Sequence, residues 1–227
     1  RALLPAVGNA IGSVEATAAS LFGRPGAEPL VVRWTPLLTV GWLGPRMGRF
    51  LAAHPHVQVT LLSALSDTEF ARSDADVQIT FGLPPSKGQT GRRLFGERLY
   101  PVAAPGLSAR ISAPSDLLGH PLIEVMAHDA TWFRMLPERD AWPAEPRFIY
   151  CDTTLTALAM AASGAGVALA RAPATDTVVA QLGLVPCLPD TAVDGLESYH
   201  LRQPATPLPG PAARAFADWL LAEATGK

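Results

Sequence analysis

The sequence predicts an α/β fold, and three observations carry that prediction. Short apolar runs with the alternation of half-buried strands recur along the chain, separated by stretches of helical periodicity. Strand, helix, strand at this spacing argues for parallel βαβ units. The 227 residues, 48% of them hydrophobic, are enough to bury a core in one large domain or two small lobes. The 22 prolines fall mostly between the expected elements, where a missing N–H costs least.

In chain order, the first segment, Arg1 to Phe22, reads as a helix. Leu4, Val7, Ile11, Val14, Ala18 and Leu21 alternate three and four apart, the pattern of a coiled-coil seam. Gly8 and Gly12 weaken it, and an ordinary amphipathic helix packed on its own domain remains an alternative. Gly23-Arg24-Pro25-Gly26 then reads as a hinge or linker. Leu30 to Trp34 is a strand. Thr39 to Ala53 is helical, with Leu43, Met47, Phe50 and Leu51 on one face, and Pro45 predicts a kink or restart inside it. Val57 to Leu61 and Asp76 to Phe81 alternate as strands. After a Pro- and Gly-rich loop over 82–91, strands are expected at Leu99 to Ala104, Leu122 to Val125, Phe148 to Tyr150, Val167 to Ala170 and Tyr199 to Leu201. Thr153 to Ser163 is a helix stopped by Gly164. A last helix opens at Pro211 with an apolar stripe of Phe216, Trp219, Leu220 and Ala224.

Charge and motifs remove several function classes. Eighteen Lys and Arg against 20 Asp and Glu leave a net charge of -2. A domain that grips nucleic acid normally has a basic surplus, because phosphate neutralisation supplies much of its affinity. Cys151 and Cys187 sit in apolar settings and read as reduced, buried thiols. No spacing suggests a metal site, no cofactor is implied, and no apolar run is long enough to span a membrane. A secretory leader is not visible, and Arg1 opens the chain without a methionine, so a segment upstream is expected. Catalytic signatures such as GxSxG, a P-loop or HExxH do not occur. Gly164-Ala165-Gly166 follows a helix, the reverse of a dinucleotide fingerprint, and reads as a helix stop. Asp74 and Asp76 share a strand face and read as structural, and His128 and Asp129 as a solvated loop pair.

Trp34 to Pro55 (WTPLLTVGWLGPRMGRFLAAHP) resembles the opening strand and first helix of LysR-type effector domains. Further segments agree in order and spacing: Asp76 to Gly82 (DVQITFG), Arg93 to Leu107 (RLFGERLYPVAAPGL) as a crossing strand, Cys151 to Ala170, and Arg214 to Glu223 (RAFADWLLAE). Leu3 to Val7 is similar to the start of the family's dimerising linker helix. The resemblance therefore covers nearly the whole chain. It leans toward the branch of the glycine-cleavage activator and the β-lactamase regulator.

That resemblance implies a two-lobed fold of the type 2 periplasmic-binding-protein kind, with two crossing strands and a long linker helix in front. The implied division is 1–24 for the linker helix, 28–101 with 198–227 for the first lobe, and 102–197 for the second. It implies a small-molecule effector between the lobes, a homodimer or homotetramer, a cytoplasmic location, and contact with DNA only through an N-terminal winged helix-turn-helix. A solute-binding protein of a transport system is the alternative. The ligand-binding residues expected are Thr35, Leu37, Leu38, Thr39, Phe81, Gly82, Trp132, Thr153, Thr154 and Tyr199. They gather at two helix starts, where free backbone N–H groups favour anions, and along the cleft. Thr39 serves equally as a helix cap, and Trp132 and Tyr199 equally as core aromatics. Leu37 stands where the family often has Ser or Thr, which points to a more apolar or differently anchored effector.

Overall fold

The computed structural model describes residues 27–64, 67–70, 75–83, 91–129, 131–136, 146–203 and 210–226. The heptad helix expected over 1–24 lies outside them. Nine strands form one sheet in the order β2-β1-β3-β9-β4-β7-β5-β6, with β8 paired to β4. Here β1 is Glu28–Trp34, β2 Val57–Ser63, β3 Val77–Gly82, β4 Arg92–Ala103, β5 Leu122–Val125, β6 Phe148–Cys151, β7 Val167–Ala172, β8 Val185–Pro186 and β9 Val193–Arg202.

The sheet has two parallel parts. β1 runs parallel to β2 and β3, and β5 parallel to β6 and β7. Between them, β4 and β9 pair antiparallel to each other; β9 also borders β3, and β4 also borders β7. These two strands join the halves. Both are longer than the periodicity predicted: β4 begins at Arg92 rather than Leu99, and β9 at Val193 rather than Tyr199. Register shifts between Arg93 and Phe95 and between Gly96 and Arg98 interrupt the apolar alternation there, so a simple period of two does not reveal the strand.

Each half has its own core. In the first, Leu30, Val32, Val77 and Ile79 of the strands meet Leu43 and Phe50 and the last helix through Phe216 and Leu220. In the second, Leu99, Leu122, Val167 and Trp132 cluster in one group, and Ile123, Ala168, Leu158 and Val178 in another.

The helices are α1 (Pro36–Leu38), α2 (Gly44–Ala53), α3 (Asp67–Phe70), α4 (Pro105–Ser108), α5 (Pro114–Leu117), α6 (Trp132–Met135), α7 (Thr154–Ala162), α8 (Asp176–Gln181) and α9 (Pro211–Thr225). The restart expected at Pro45 takes a definite form. A π-turn, Thr39–Leu43, links α1 to α2, with the Gly44 N–H donating to Thr39 O. Pro45 has no N–H for the carbonyl that an α-helix would place four residues back, and the widened turn accommodates the gap. Leu43 and Phe50 are buried as expected, but Leu51 is exposed. It follows Phe50 by one residue, about 100° around the helix, beyond the edge of that stripe. Helix α9 has Gly210 at its N-cap without a side-chain cap. Glu28 of β1 takes that role, its Oε1 accepting from the Ala212 N–H at 2.7 Å.

Smaller expectations are met by specific bonds. Asp76 Oδ2 accepts from the Val31 N–H at 2.8 Å, tying β3 to β1. Gly164 stops α7 at φ +83°, a conformation that L side chains rarely adopt. Cys151 and Cys187 are buried and unbridged.

Candidate functional site

The end of β1 leads through Thr35 into α1. Thr35 has the extended backbone of an N-cap, yet its side chain makes no capping bond. Its Oγ1 is buried, has no well-formed hydrogen-bond partner among the described residues, and faces the Tyr199 phenol. Thr39 is not the cap that its sequence position suggested. The helix begins one turn earlier, so the Thr39 N–H and Oγ1 both point back to Thr35 O, at 3.3 and 3.4 Å. Leu38 is fully buried in the first core, and Leu37 packs half-buried against it.

On β3 and β9, Phe81 pairs with Tyr199 and Gly82 with Ser198. An aromatic chain starts here. The Tyr199 ring lies 4.6 Å from Phe81 and 5.1 Å from Phe95, Phe95 lies 4.8 Å from Trp42, and Phe81 meets the His128 ring edge-on at 5.3 Å. Such tilted and T-shaped pairs suit ring quadrupoles. The chain runs from the π-turn across both joining strands to the loop after β5. Burial pushes the Tyr199 phenol well above its ordinary range, so it stays protonated and able to donate.

At the other helix start, Thr153 caps α7. Its Oγ1 accepts from the Thr156 N–H at 3.2 Å and shares a 2.8 Å bond with the Thr156 hydroxyl. Thr154 is buried, and its hydroxyl bonds His128 Nε2 at 2.9 Å. Trp132 is fully buried in the second core; its indole N–H donates to Ile123 O at 3.0 Å and its backbone N–H to Glu124 Oε2 at 3.2 Å. The structure thus brings Thr35, Phe81 and Tyr199 together and joins them through His128 to Thr154. It places Leu38 and Trp132 inside cores and commits Thr153 to its cap.

His128 corrects the expectation of a solvated loop residue. Its side chain is 11% exposed, and Nδ1 lies 3.4 Å from Glu197 Oε2. Burial holds its pKa below the ordinary value, with Glu197 pulling the other way. Asp129, next to it, is exposed.

Sequence reasoning also missed a buried ionic cluster. Arg171 of β7 places Nη1 2.5 Å from Glu97 Oε2 on β4 and 3.5 Å from Glu197 Oε2 on β9. Burial raises the Glu97 carboxyl despite the opposing pull of Arg171. The signal was present as charged residues inside apolar strand patterns: Arg171 directly after Val167–Ala170, and Glu97 between Phe95 and Leu99. A charge is rarely fully buried unless paired. A cavity of about 630 Å³ opens along the same strands, and none of the ten expected ligand residues lines it.

The family model described as LysR substrate binding domain matches residues 24–225. The chain belongs to this family. Among curated relatives, the transcriptional activator AmpR of Pseudomonas aeruginosa is 34% identical over 149 residues, 64% of this chain and 49% of the relative. The glycine cleavage system transcriptional activator of Escherichia coli is 29% identical over 217 residues, 91% of this chain and 68% of the relative. Among solved structures, the effector domain of AmpR from Pseudomonas aeruginosa is similar at TM-score 0.76 and 30% identity, covering 88% of this chain and 96% of that one. The chain spans about half the length of its AmpR relative.

These LysR relatives confirm the branch that the motifs suggested, and they establish a two-lobed effector-domain fold in which β4 and β9 are the crossing strands. They are transcription regulators, which does not favour a transport protein. No described helix is long and apolar enough to cross a membrane.

Proposed function

We propose that this chain is the sensing part of a cytoplasmic LysR-type regulator. It takes a small-molecule effector between its lobes, bounded as 28–101 with 198–227 and 102–197, and acts by binding rather than by turnover. Occupancy shifts the equilibrium between lobe arrangements by the effector's differential affinity for them. A helix over 1–24 passes that shift within a homodimer or homotetramer to winged helix-turn-helix heads, through which DNA is bound. The family match over 24–225 carries the reading.

The effector is proposed to lie against Thr35, Leu37, Thr39, Phe81, Gly82, Thr153, Thr154 and Tyr199. The apolar Leu37 and the aromatic chain favour a ligand with substantial apolar surface. Leu38 and Trp132 are assigned to supporting this wall from within the cores.

A thermal-shift screen against metabolites tests the proposal. An effector at about 100 times its dissociation constant adds roughly 2.7 kcal/mol of stability, and Tyr199→Phe weakens the response. Sequence-specific retardation of DNA by this chain alone at physiological salt would overturn the assignment of DNA contact to a separate module.

A further inference from the structure

Between the pairs Gly96–Ser198 and Arg98–Asp194, β4 has Glu97 alone, while β9 has Gly195, Leu196 and Glu197. Extra residues of this kind bend a strand and leave part of its ladder unpaired. The bulge lies on a crossing strand, where the two halves of the sheet meet. Glu197 is buried, and its Oε2 accepts from the Asp129 N–H at 3.3 Å and from Arg171 Nη1 at 3.5 Å.

His128, in the turn after β5, stands at the same oxygen. Nδ1 lies 3.4 Å from Glu197 Oε2, a long contact, and has no other partner among the described residues. Nε2 lies 2.9 Å from Thr154 Oγ1, and the ring meets Phe81 edge-on. One imidazole therefore touches the bulge of β9, the start of α7 and the end of β3. Burial keeps it neutral at neutral pH, so one ring nitrogen carries a proton and the other a lone pair. A lone pair aimed at a carboxylate oxygen is repelled, whereas an N–H is attracted, and the other neighbours of this oxygen are donors. The proton therefore belongs on Nδ1, and the Thr154 hydroxyl donates to Nε2.

We propose that His128 is the positioning residue through which the effector contacts Phe81 and Thr154 act on the β9 bulge, with Glu197 fixing its Nδ1–H tautomer. The inference rests on the reading of those two residues as effector contacts. An effector that displaces the Phe81 ring or competes for the Thr154 hydroxyl changes what His128 offers Glu197. The change falls where β9 is least regular. Glu197 in turn shares Arg171 with Glu97 of β4, so both crossing strands respond.

The tautomer is read in the unsubstituted full chain, without ligand, from two-bond nitrogen–proton correlations of the imidazoles at neutral pH; His128→Gln serves to assign the signals. A protonated Nδ1 with a bare Nε2 is expected, and the reverse overturns the proposal. Two substitutions then separate the contacts. His128→Asn keeps a donor at the δ position and holds the Gly195 and Leu196 amide resonances near those of the parent, whereas His128→Gln, which keeps only the ε position, moves them. A urea-denaturation cycle pairs Thr154→Val with Glu197→Gln, residues joined through His128. Their effects are expected to be non-additive by at least about twofold in the folding equilibrium constant, and additive in a His128→Ala background. Equal effects of Asn and Gln on the bulge, additivity with His128 present, or non-additivity that survives without it also overturn the proposal. None of these measurements uses an effector, so their failure leaves the sensing role to the thermal-shift screen, and a screen without a hit counts against the sensing role alone.

Discussion

At the scale of single residues, Arg171 has the largest expected effect. It is 2% exposed and pairs with two buried carboxylates. Arg171→Met removes their common partner and leaves two acids out of water, a change that costs about 3–5 kcal/mol and is read by urea denaturation. A loss below about 1 kcal/mol would mean that water already reaches the cluster. His128 gives the pH dependence. Burial holds its pKa under the ordinary 6.5. Between the depressed value and the ordinary one, the unfolded chain binds a proton that the native state does not, so stability present above that interval is lost as pH falls through it. The slope from this group is at most about 1.4 kcal/mol per pH unit. The stability advantage of the parent over His128→Gln therefore narrows as pH falls through and below the ordinary histidine value of 6.5, and an unchanged gap would refute the assignment. Site residues were legible only where a motif carried them. Tyr199, Phe81 and Thr154 came from the resemblance; Phe81 and Thr154 both touch His128, and Tyr199 packs on Phe81. Arg171, Glu97 and Glu197 are scattered over 97–197, and no spacing in one strand announces a partner in two others.

Elements were legible where the local pattern decided them. The expected Leu122–Val125 strand is β5 residue for residue, and the helix expected from Thr153 is α7, with Thr153 as its cap. Thr153→Ala removes the bond to the Thr156 N–H and costs about 1 kcal/mol in melting or denaturant experiments, whereas Thr153→Ser retains most of it. Short helices such as α4, α5 and α6, four residues each, were not legible, because one turn has no periodicity to read. The π-turn was visible only as a disturbance at Pro45; its partner was not. A Cβ on Gly41 would stand 1.8 Å from Ala174 O in the segment leading to α8. That contact involves backbone on the far side, so no rotamer change relieves it. Gly41→Ala must therefore separate the π-turn from this segment. The expected result is a loss of about 1–3 kcal/mol and a larger radius of gyration in small-angle scattering. An unchanged radius with unchanged stability would show that the two backbones part without cost.

At the scale of the molecule, the question is whether two cores joined by two strands unfold as one. β4 contributes Leu94 to the first core and Leu99 to the second, and Ala174 from beyond β7 packs in the first. The Arg171 cluster lies across the same junction, with one partner on each crossing strand. Unfolding one half alone would strip neighbours from these buried charges and leave β4 and β9 with unpaired edges, both of which are costly. A single cooperative transition follows. Phe216→Ala tests it, because Phe216 is fully buried in the first core and meets Phe50 edge-on at 5.0 Å, far from β5. The substitution costs about 3–5 kcal/mol. Under cooperative unfolding, the exchange protection of the Ile123 amide in β5 falls by the same free energy as that of Ile79 in β3. If Ile123 keeps its protection while Ile79 loses it, the crossing strands are a hinge between lobes that unfold separately, and the buried cluster does not bind them into one unit.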